Sequence, residues 1–228
     1  WVKLPWSLWP WVYSKLGGMT QHSGFAQPQN TWDRRFDRPD YLFGTEPNAY
    51  LKQHGDLLSP GLTLCLADGE GRNSVWLAQQ GHQVHAFDFS APAIAKGQRL
   101  AQDRGVAVTF TCCAWADFDW GVARYDHVVG IFFQFAPPQE RDALFAHIDA
   151  CLKPGGLVLI QGYTPKQLEH NTGGPGKLEH LYDEVMMRAY FPHYEWLDLR
   201  TYEADIHEGD GHHGPSGLLG LVAQKPLA

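Results

Sequence analysis

Apolar and polar positions fall into alternating blocks along most of the chain. Leu62–Ala67 is an apolar run that stops at Asp68-Gly69-Glu70-Gly71. A helical pattern then occupies Asn73–Gln80, with Gly81 as its terminator. Gln83–Phe87 is a second apolar run, ending in Asp88. Ser90 is a natural N-cap for a helix through about Arg104. Val106–Cys112 and Tyr125–Phe132 predict a third and a fourth strand. Pro138–Leu152 predicts a helix with Leu144, Phe145, Ile148 and Leu152 on one face. Lys153-Pro154-Gly155-Gly156 reads as a break before a fifth strand, Leu157–Tyr163.

The flanks are less regular. Phe43–Leu51 predicts a turn and then a helix with Pro47 in its first turn. Residues 20–30 read as loop, and Asn171–Lys177 as glycine-rich loop. His180–Tyr190 predicts a helix. Glu195–Ile206 and Gly217–Gln224 predict two closing strands, with HEGDGHHGPS as a flexible connection. Strands alternating with helices predict an α/β fold, a doubly wound, mostly parallel sheet of seven strands. The last two strands have no helix between them and should pair as a C-terminal antiparallel hairpin. We expect one domain, residues 31–228, behind an N-terminal extension, residues 1–30.

The 228 residues suffice for a large core without disulfides or metal. Hydrophobic residues make up 44% and charged residues 19%, which excludes wholesale disorder. A net charge of -7 argues against a nucleic-acid partner or an anionic membrane surface. The four cysteines read as reduced core thiols of a cytoplasmic protein, since adjacent Cys112 and Cys113 make a poor disulfide framework. No apolar run is long enough to span a bilayer. Residues 1–18 hold four Trp, two Pro and no acid. Trp and Lys would suit an interfacial anchor. The preferred reading is upstream or non-native sequence, with Met19 as the natural start.

The glycine turn is the first candidate for chemistry. Gly69 and Gly71 permit close approach of a ligand, but the third glycine of a dinucleotide fingerprint is missing. Asp68 and Glu70 would repel a diphosphate and favour a cationic group such as an amine or a sulfonium. Asp88 stands where an acid can accept hydrogen bonds from a ribose diol. The alternative is that both aspartates only cap helices.

These segments resemble class I S-adenosylmethionine-dependent methyltransferases. LCLADGEGRNSVWLAQQGHQVHAFDFSAPAI is similar to that family's first two motifs. WDRRFDRPDYLFGTEPNAYL resembles the cofactor-covering segment of its small-molecule branch, near the tellurite-resistance and thiopurine methyltransferases. YDHVVGIFFQFAPPQERDALFAHIDACLKPGGLVLIQGYTP and TGGPGKLEHLYDEVMMRAYF resemble the later motifs, in order. The resemblance implies a Rossmann-like fold and S-adenosyl-L-methionine as cofactor. It places Asp68, Gly69 and Gly71 against the methionine part, Asp88 on the ribose and Phe89 beside the adenine. Trp115, Ala116 and Asp117 would meet the adenine, Ile131 and Phe132 the methyl group, and Trp32, Phe43 and Gly44 would close over the top. Two departures stand out: Asp68 replaces the usual first glycine, and Ala114 the usual acid after the third strand.

Methyl transfer depends mainly on alignment of donor and acceptor. A thiol or a selenium or tellurium oxyanion needs no strong base, whereas an amine or hydroxyl does. Tyr163, His212 and His213 are the catalytic candidates. Phe133, Gln134 and Phe135 follow the fourth strand as a candidate acceptor pocket or, equally, as helix-entry packing. No Asn/Asp-Pro-Pro-aromatic motif points to nucleic-acid bases. His207, His212 and His213 with Glu208 and Asp210 fit no common zinc spacing, so no metal is expected. Arg34 and Arg35, beside Asp33 and Asp37, are either an anion-binding pair or a solvated face. The expected activity is methyl transfer to a small molecule. The alternatives are a non-catalytic cofactor- or metal-binding module of this fold and, with less support, a nicotinamide oxidoreductase. Oligomeric state is left open.

Overall fold

The computed structural model describes residues 28–170 and 172–227. The Trp-rich residues 1–18, Met19 and most of the loop expected at 20–30 lie outside the described residues, as does Asn171 at the start of the glycine-rich loop. The first described element, α1 (Pro28–Phe36), begins inside the stretch assigned to the extension.

One seven-stranded sheet runs in the order β3-β2-β1-β4-β5-β7-β6. Its strands are β1 (Leu62–Leu66), β2 (Gln83–Asp88), β3 (Val108–Cys112), β4 (Tyr125–Ile131), β5 (Leu152–Tyr163), β6 (Glu195–Glu208) and β7 (His212–Gln224). The first five are mutually parallel, and β7 runs antiparallel to both β5 and β6. The period of two along each strand sends alternate residues to opposite faces. Leu64, Leu66, Val128, Val158 and Ile160 face one layer with Leu144, Phe145 and Ile148 of α5 (Pro138–Cys151) and Met187 of α7 (Glu184–Tyr190). Cys65, Val129, Leu157 and Leu159 face the other, with Leu51 of α2 (Ala49–His54) and Leu77 of α3 (Arg72–Gln79). Burying each such side chain contributes about 1.5–3 kcal/mol, which makes these two layers the main stabilising feature.

Ser90 caps α4 (Ala91–Asp103) as expected, its side chain accepting from the Ala93 N–H. Other boundaries move for identifiable reasons. Asn48, not Pro47, starts α2: its side chain accepts from the Leu51 N–H at 3.0 Å, so Pro47 lies ahead of the cap. Asp183 caps α7 through the Met186 N–H at 2.7 Å. The preceding backbone is tied to β5 by Tyr182 N–H donating to Tyr163 O at 2.9 Å, so no helix begins at His180. Lys153–Gly156 does not break the chain but lies within β5, where Gly155 and Gly156 exchange hydrogen bonds with Lys225. The connection expected between the closing strands is ordered pairing instead: the ladder continues to Glu208 opposite His212, leaving residues 209–211 as the turn. All four cysteines are free, but only Cys65 and Cys151 are buried; Cys112 is exposed on the edge strand.

Candidate active site

The two central strands end in strained backbone. Ala67 follows β1 with φ 44° and Phe132 follows β4 with φ 52°, both in the left-handed region that side chains disfavour. They sit side by side at the C-terminal edge, where the strand order reverses and open α/β sheets bind ligands. Backbone strain of this kind clusters at functional sites.

Below this edge lie two acids, Asp88 buried and Asp68 half-buried. Asp88 accepts from Gly69 N–H at 3.0 Å and Ser90 N–H at 2.9 Å, so each oxygen has one backbone donor and keeps a lone pair for another. Asp68 accepts from the Ser74 hydroxyl. Burial pushes the Asp68 carboxyl up to about 7, with the Asp88 charge adding to the effect, and Asp88 up to about 6. Among the described residues neither forms an ion pair, so their environment favours a cation from outside. Glu70 differs: Lys96 neutralises it at 2.8 Å within the protein. The turn's glycines also differ in role. A Cβ on Gly71 would lie 2.7 Å from the Cα of Gly97, so helix packing by itself demands glycine there. A Cβ on Gly69 would meet only the ring of Phe36, at 3.5 Å.

Residues 32–44 pack over this edge. Phe36, Leu42 and Ala93 pack together with Trp32 and Phe43. The segment is fastened from below: Glu70 accepts from Phe43 N–H at 3.3 Å, and Lys96 donates to Asp40 O at 2.7 Å. Asp33 accepts from the Ser90 hydroxyl at 2.6 Å. Arg35 lies over the Trp32 ring at 4.3 Å, and Arg34 bonds its own helix backbone, so the arginine pair does not form an anion clamp.

The β6–β7 hairpin reaches past the sheet edge and completes the far wall. Its turn docks on the roof through Gly211 N–H donating to Leu42 O at 3.0 Å and Arg38 donating to Asp210 at 2.7 Å. Behind it, Glu208 accepts from Arg72 at 2.6 Å and from the Asn48 amide at 2.7 Å. The same Asn48 amide donates to Gln161 at 2.6 Å, and Gln161 donates to the Tyr202 hydroxyl at 2.6 Å. His212 approaches Glu208 at 3.4 Å and packs on Phe43 and Phe132, with ring centroids 4.4 and 4.3 Å away. Burial alone would raise the Glu208 carboxyl, but His212 and Arg72 hold it down at about 2. Sequence reading missed Arg72, Asn48 and Gln161. The one available signal was Gln161, a polar residue inside the apolar strand β5.

Residues 64–156 match the family model of a methyltransferase domain. The matched region runs from β1 into the start of β5, so this part of the chain is similar to a methyltransferase domain. The fold agrees. A protein whose structure is described as "Conversion of a Disulfide Bond into a Thioacetal Group during Echinomycin Biosynthesis" superposes with TM-score 0.71 at 15% identity, covering 87% of this chain and 92% of that one. TehB from Haemophilus influenzae superposes with TM-score 0.65 at 18% identity, covering 86% of this chain and 66% of that one. The 1,6-didemethyltoxoflavin-N1-methyltransferase of Burkholderia thailandensis superposes with TM-score 0.58 at 24% identity, covering 78% and 76%. Comparison with curated protein sequences finds no significant match. Among the described residues, no helix is long and apolar enough to cross a membrane.

On this framework the expected site residues separate into groups. Asp68, Gly69, Asp88 and Phe89 gather at the ends of β1 and β2, and Ile131 and Phe132 at the end of β4. Trp115, Ala116 and Asp117 form a 3-10 turn after β3; the Trp115 ring packs toward His147 and its carbonyl accepts from Trp120 Nε1 at 2.9 Å. Trp32, Phe43 and Gly44 belong to the roof, with Gly44 in a turn at φ 71° beneath the hairpin tip. The acceptor-pocket reading of Phe133 and Gln134 gives way to packing. Phe133 is buried against Phe145 and Tyr182, and the Gln134 amide braces the Tyr163 and His180 backbone. Phe135 packs beside that same core. Tyr163 and His212 face each other with centroids 5.8 Å apart. His213 points the other way, exposed, against His207 at 4.7 Å, and is removed from the catalytic set.

A cationic donor fits the residues present: buried Asp88 and half-buried Asp68 stand together at the strand ends without an ion pair among the described residues.

Proposed function

We propose that this chain transfers a methyl group from S-adenosylmethionine to a small-molecule acceptor: a thiol, an amine, or a selenium or tellurium oxyanion. The observation that carries the reading is the pair of acids without an ion pair among the described residues, half-buried Asp68 and buried Asp88, beneath the strained ends of β1 and β4. When bound, S-adenosylmethionine supplies an electrophilic methyl carbon on a positively charged sulfur. Asp88 would accept from the ribose hydroxyls with its remaining lone pairs, with Phe89 against the adenine and the 115–117 backbone at its edge. Asp68 and Gly69 would hold the cationic end. Ile131 and Phe132 would flank the reacting carbon, while Trp32, Phe43 and Gly44 exclude water from above. Alignment inside this enclosure accounts for most of the expected rate gain.

The small-molecule part of the reading is supported by the 32–44 segment and the β6–β7 hairpin, which dock on each other beside the strand ends. It also agrees with the similar Burkholderia protein, whose structure holds 1,6-didemethyltoxoflavin and S-adenosylhomocysteine. Calorimetry tests it: adenosylhomocysteine should bind and NADH should not. Turnover should then appear within a panel of thiols, amines, selenite and tellurite. Adenosylhomocysteine binding with no turnover across that panel would favour a non-catalytic module.

A further inference from the structure

We infer that His212 is the general base of the transfer, positioned by Glu208, and that the acceptor is a ring-bearing compound with an N–H, O–H or S–H nucleophile rather than an oxyanion. This rests on the methyl-transfer reading above and narrows it.

The argument starts from hydrogen-bonding capacity. The Glu208 carboxylate already accepts from Arg72 at 2.6 Å and Asn48 at 2.7 Å, which keep it ionised. An ionised carboxylate can only accept. Its contact with His212 Nδ1 at 3.4 Å therefore requires the proton on Nδ1. That leaves Nε2 as a lone pair, with no partner among the described residues. A carboxylate that fixes the tautomer of a neutral imidazole makes a general base, and such contacts are often long before substrate binds. Burial lowers the His212 pKa, which keeps the ring neutral. The charged and titratable groups around it are Glu208 from β6, Arg72 from α3, Arg35 from α1 and Tyr163 from β5.

The surroundings specify the acceptor. His212 lies between Phe43 and Phe132, at the end of β4 where the reacting carbon would be. Tyr163 is 1% exposed and its hydroxyl is buried without a partner among the described residues, which leaves one polar atom for a bound molecule. Aromatic walls, one base and one unpaired hydroxyl suit a neutral ring carrying an exchangeable proton and a second polar group. The acceptor's lone pair forms the new bond to the methyl carbon as the carbon–sulfur bond breaks. That bond's electrons stay on sulfur, leaving neutral adenosylhomocysteine. The acceptor's proton passes to His212 Nε2 and from there to solvent. No oxidant or reductant is needed.

Heteronuclear NMR of the whole chain tests the base directly, without turnover. At about pH 7 the His212 nitrogens should report a neutral ring protonated on Nδ1, and Glu208→Gln should shift that tautomer balance. Two thiols test the chemistry: benzyl mercaptan, protonated near neutral pH, and 4-nitrothiophenol, already ionised. His212→Gln should cut turnover of the first about a hundredfold or more and leave the second within about threefold, with adenosylhomocysteine affinity little changed. An imidazolium or an Nε2-protonated ring would overturn the inference, as would turnover of selenite or tellurite alone. Equal losses on both thiols would reduce His212 to a structural role. Failure of adenosylhomocysteine to bind the unaltered chain would instead remove the methyl-transfer reading itself.

Discussion

Arg72 donates to Glu208 at 2.6 Å, both side chains less than a tenth exposed. This pair joins the first turn of α3 to the tip of the C-terminal hairpin, 136 residues later. It therefore couples the donor-side turn to the wall that carries His212. Removing one partner strands the other in a low-dielectric site. Arg72→Met should destabilise the fold by about 3 kcal/mol, and Arg72→Met with Glu208→Met should recover much of that loss. Urea unfolding of the two variants measures it; equal stability of the single variant and the parent would show that the pair carries no structural weight.

The same glutamate sets an acid limit. Its folded pKa, about 2, lies below the ordinary carboxylate value. A depressed carboxylate contributes stability that is complete above the unfolded pKa and is lost as pH falls through the folded one. The melting temperature should therefore drop between about pH 4.5 and pH 2. Arg72→Met should flatten that part of the curve, because it removes a cause of the depression.

Asp68 works with the opposite sign. Its folded pKa, about 7, lies above the unfolded value. Between about pH 4 and pH 7 the unfolded chain gives up this proton while the folded chain retains it, so rising pH costs stability. Asp68→Asn should raise the stability at pH 8, and with it the melting temperature, by on the order of 2 kcal/mol in free energy and change little at pH 4. It should also weaken binding of S-adenosylmethionine more than of neutral adenosylhomocysteine. Thermal melts at both pH values and calorimetry with both ligands would reveal a variant that behaves like the parent.

Asp88 bears on affinity. Asp88→Ala should reduce adenosylhomocysteine affinity at least tenfold, ~1.4 kcal/mol, the scale of a lost charge-assisted hydrogen bond. Because Gly69 and Ser90 also donate to this carboxylate, Asp88→Asn is the companion that keeps an acceptor for the backbone. Calorimetry showing near-parental affinity in both variants would refute the ribose assignment.

Gly71 tests the packing role. At φ 86°, and with a Cβ that would lie 2.7 Å from Gly97 Cα, Gly71→Ala should cost about 2–4 kcal/mol. Gly105, also at positive φ but with open space around it, is the control: Gly105→Ala should cost only the backbone strain, about 1–2 kcal/mol. Denaturant midpoints for the two variants should differ accordingly.

Local chemistry is what a linear chain states openly. The apolar runs Leu62–Leu66 and Tyr125–Ile131, the Ser90 cap and the acid at the end of β2 each depend on neighbours a few residues away, and these features were legible. So was the order of strands and helices, because a parallel pair requires a crossover. The failures share one cause. The run from His207 to Gly214 looked like a loose polar turn, since nothing nearby pairs with Glu208 or packs on His212. Phe133 looked as suited to a ligand as to the core, because strand-end position does not say which layer a ring enters. Arg72 carried no signal, its partner lying at the far end of the chain. Folding the sheet brought the end of β4, the start of α3 and the hairpin tip to one edge. Only that juxtaposition separated His212 from His213 and gave the buried charges their partners. Propensity and periodicity act over a few residues, whereas burial and charge pairing act between whatever the topology makes adjacent.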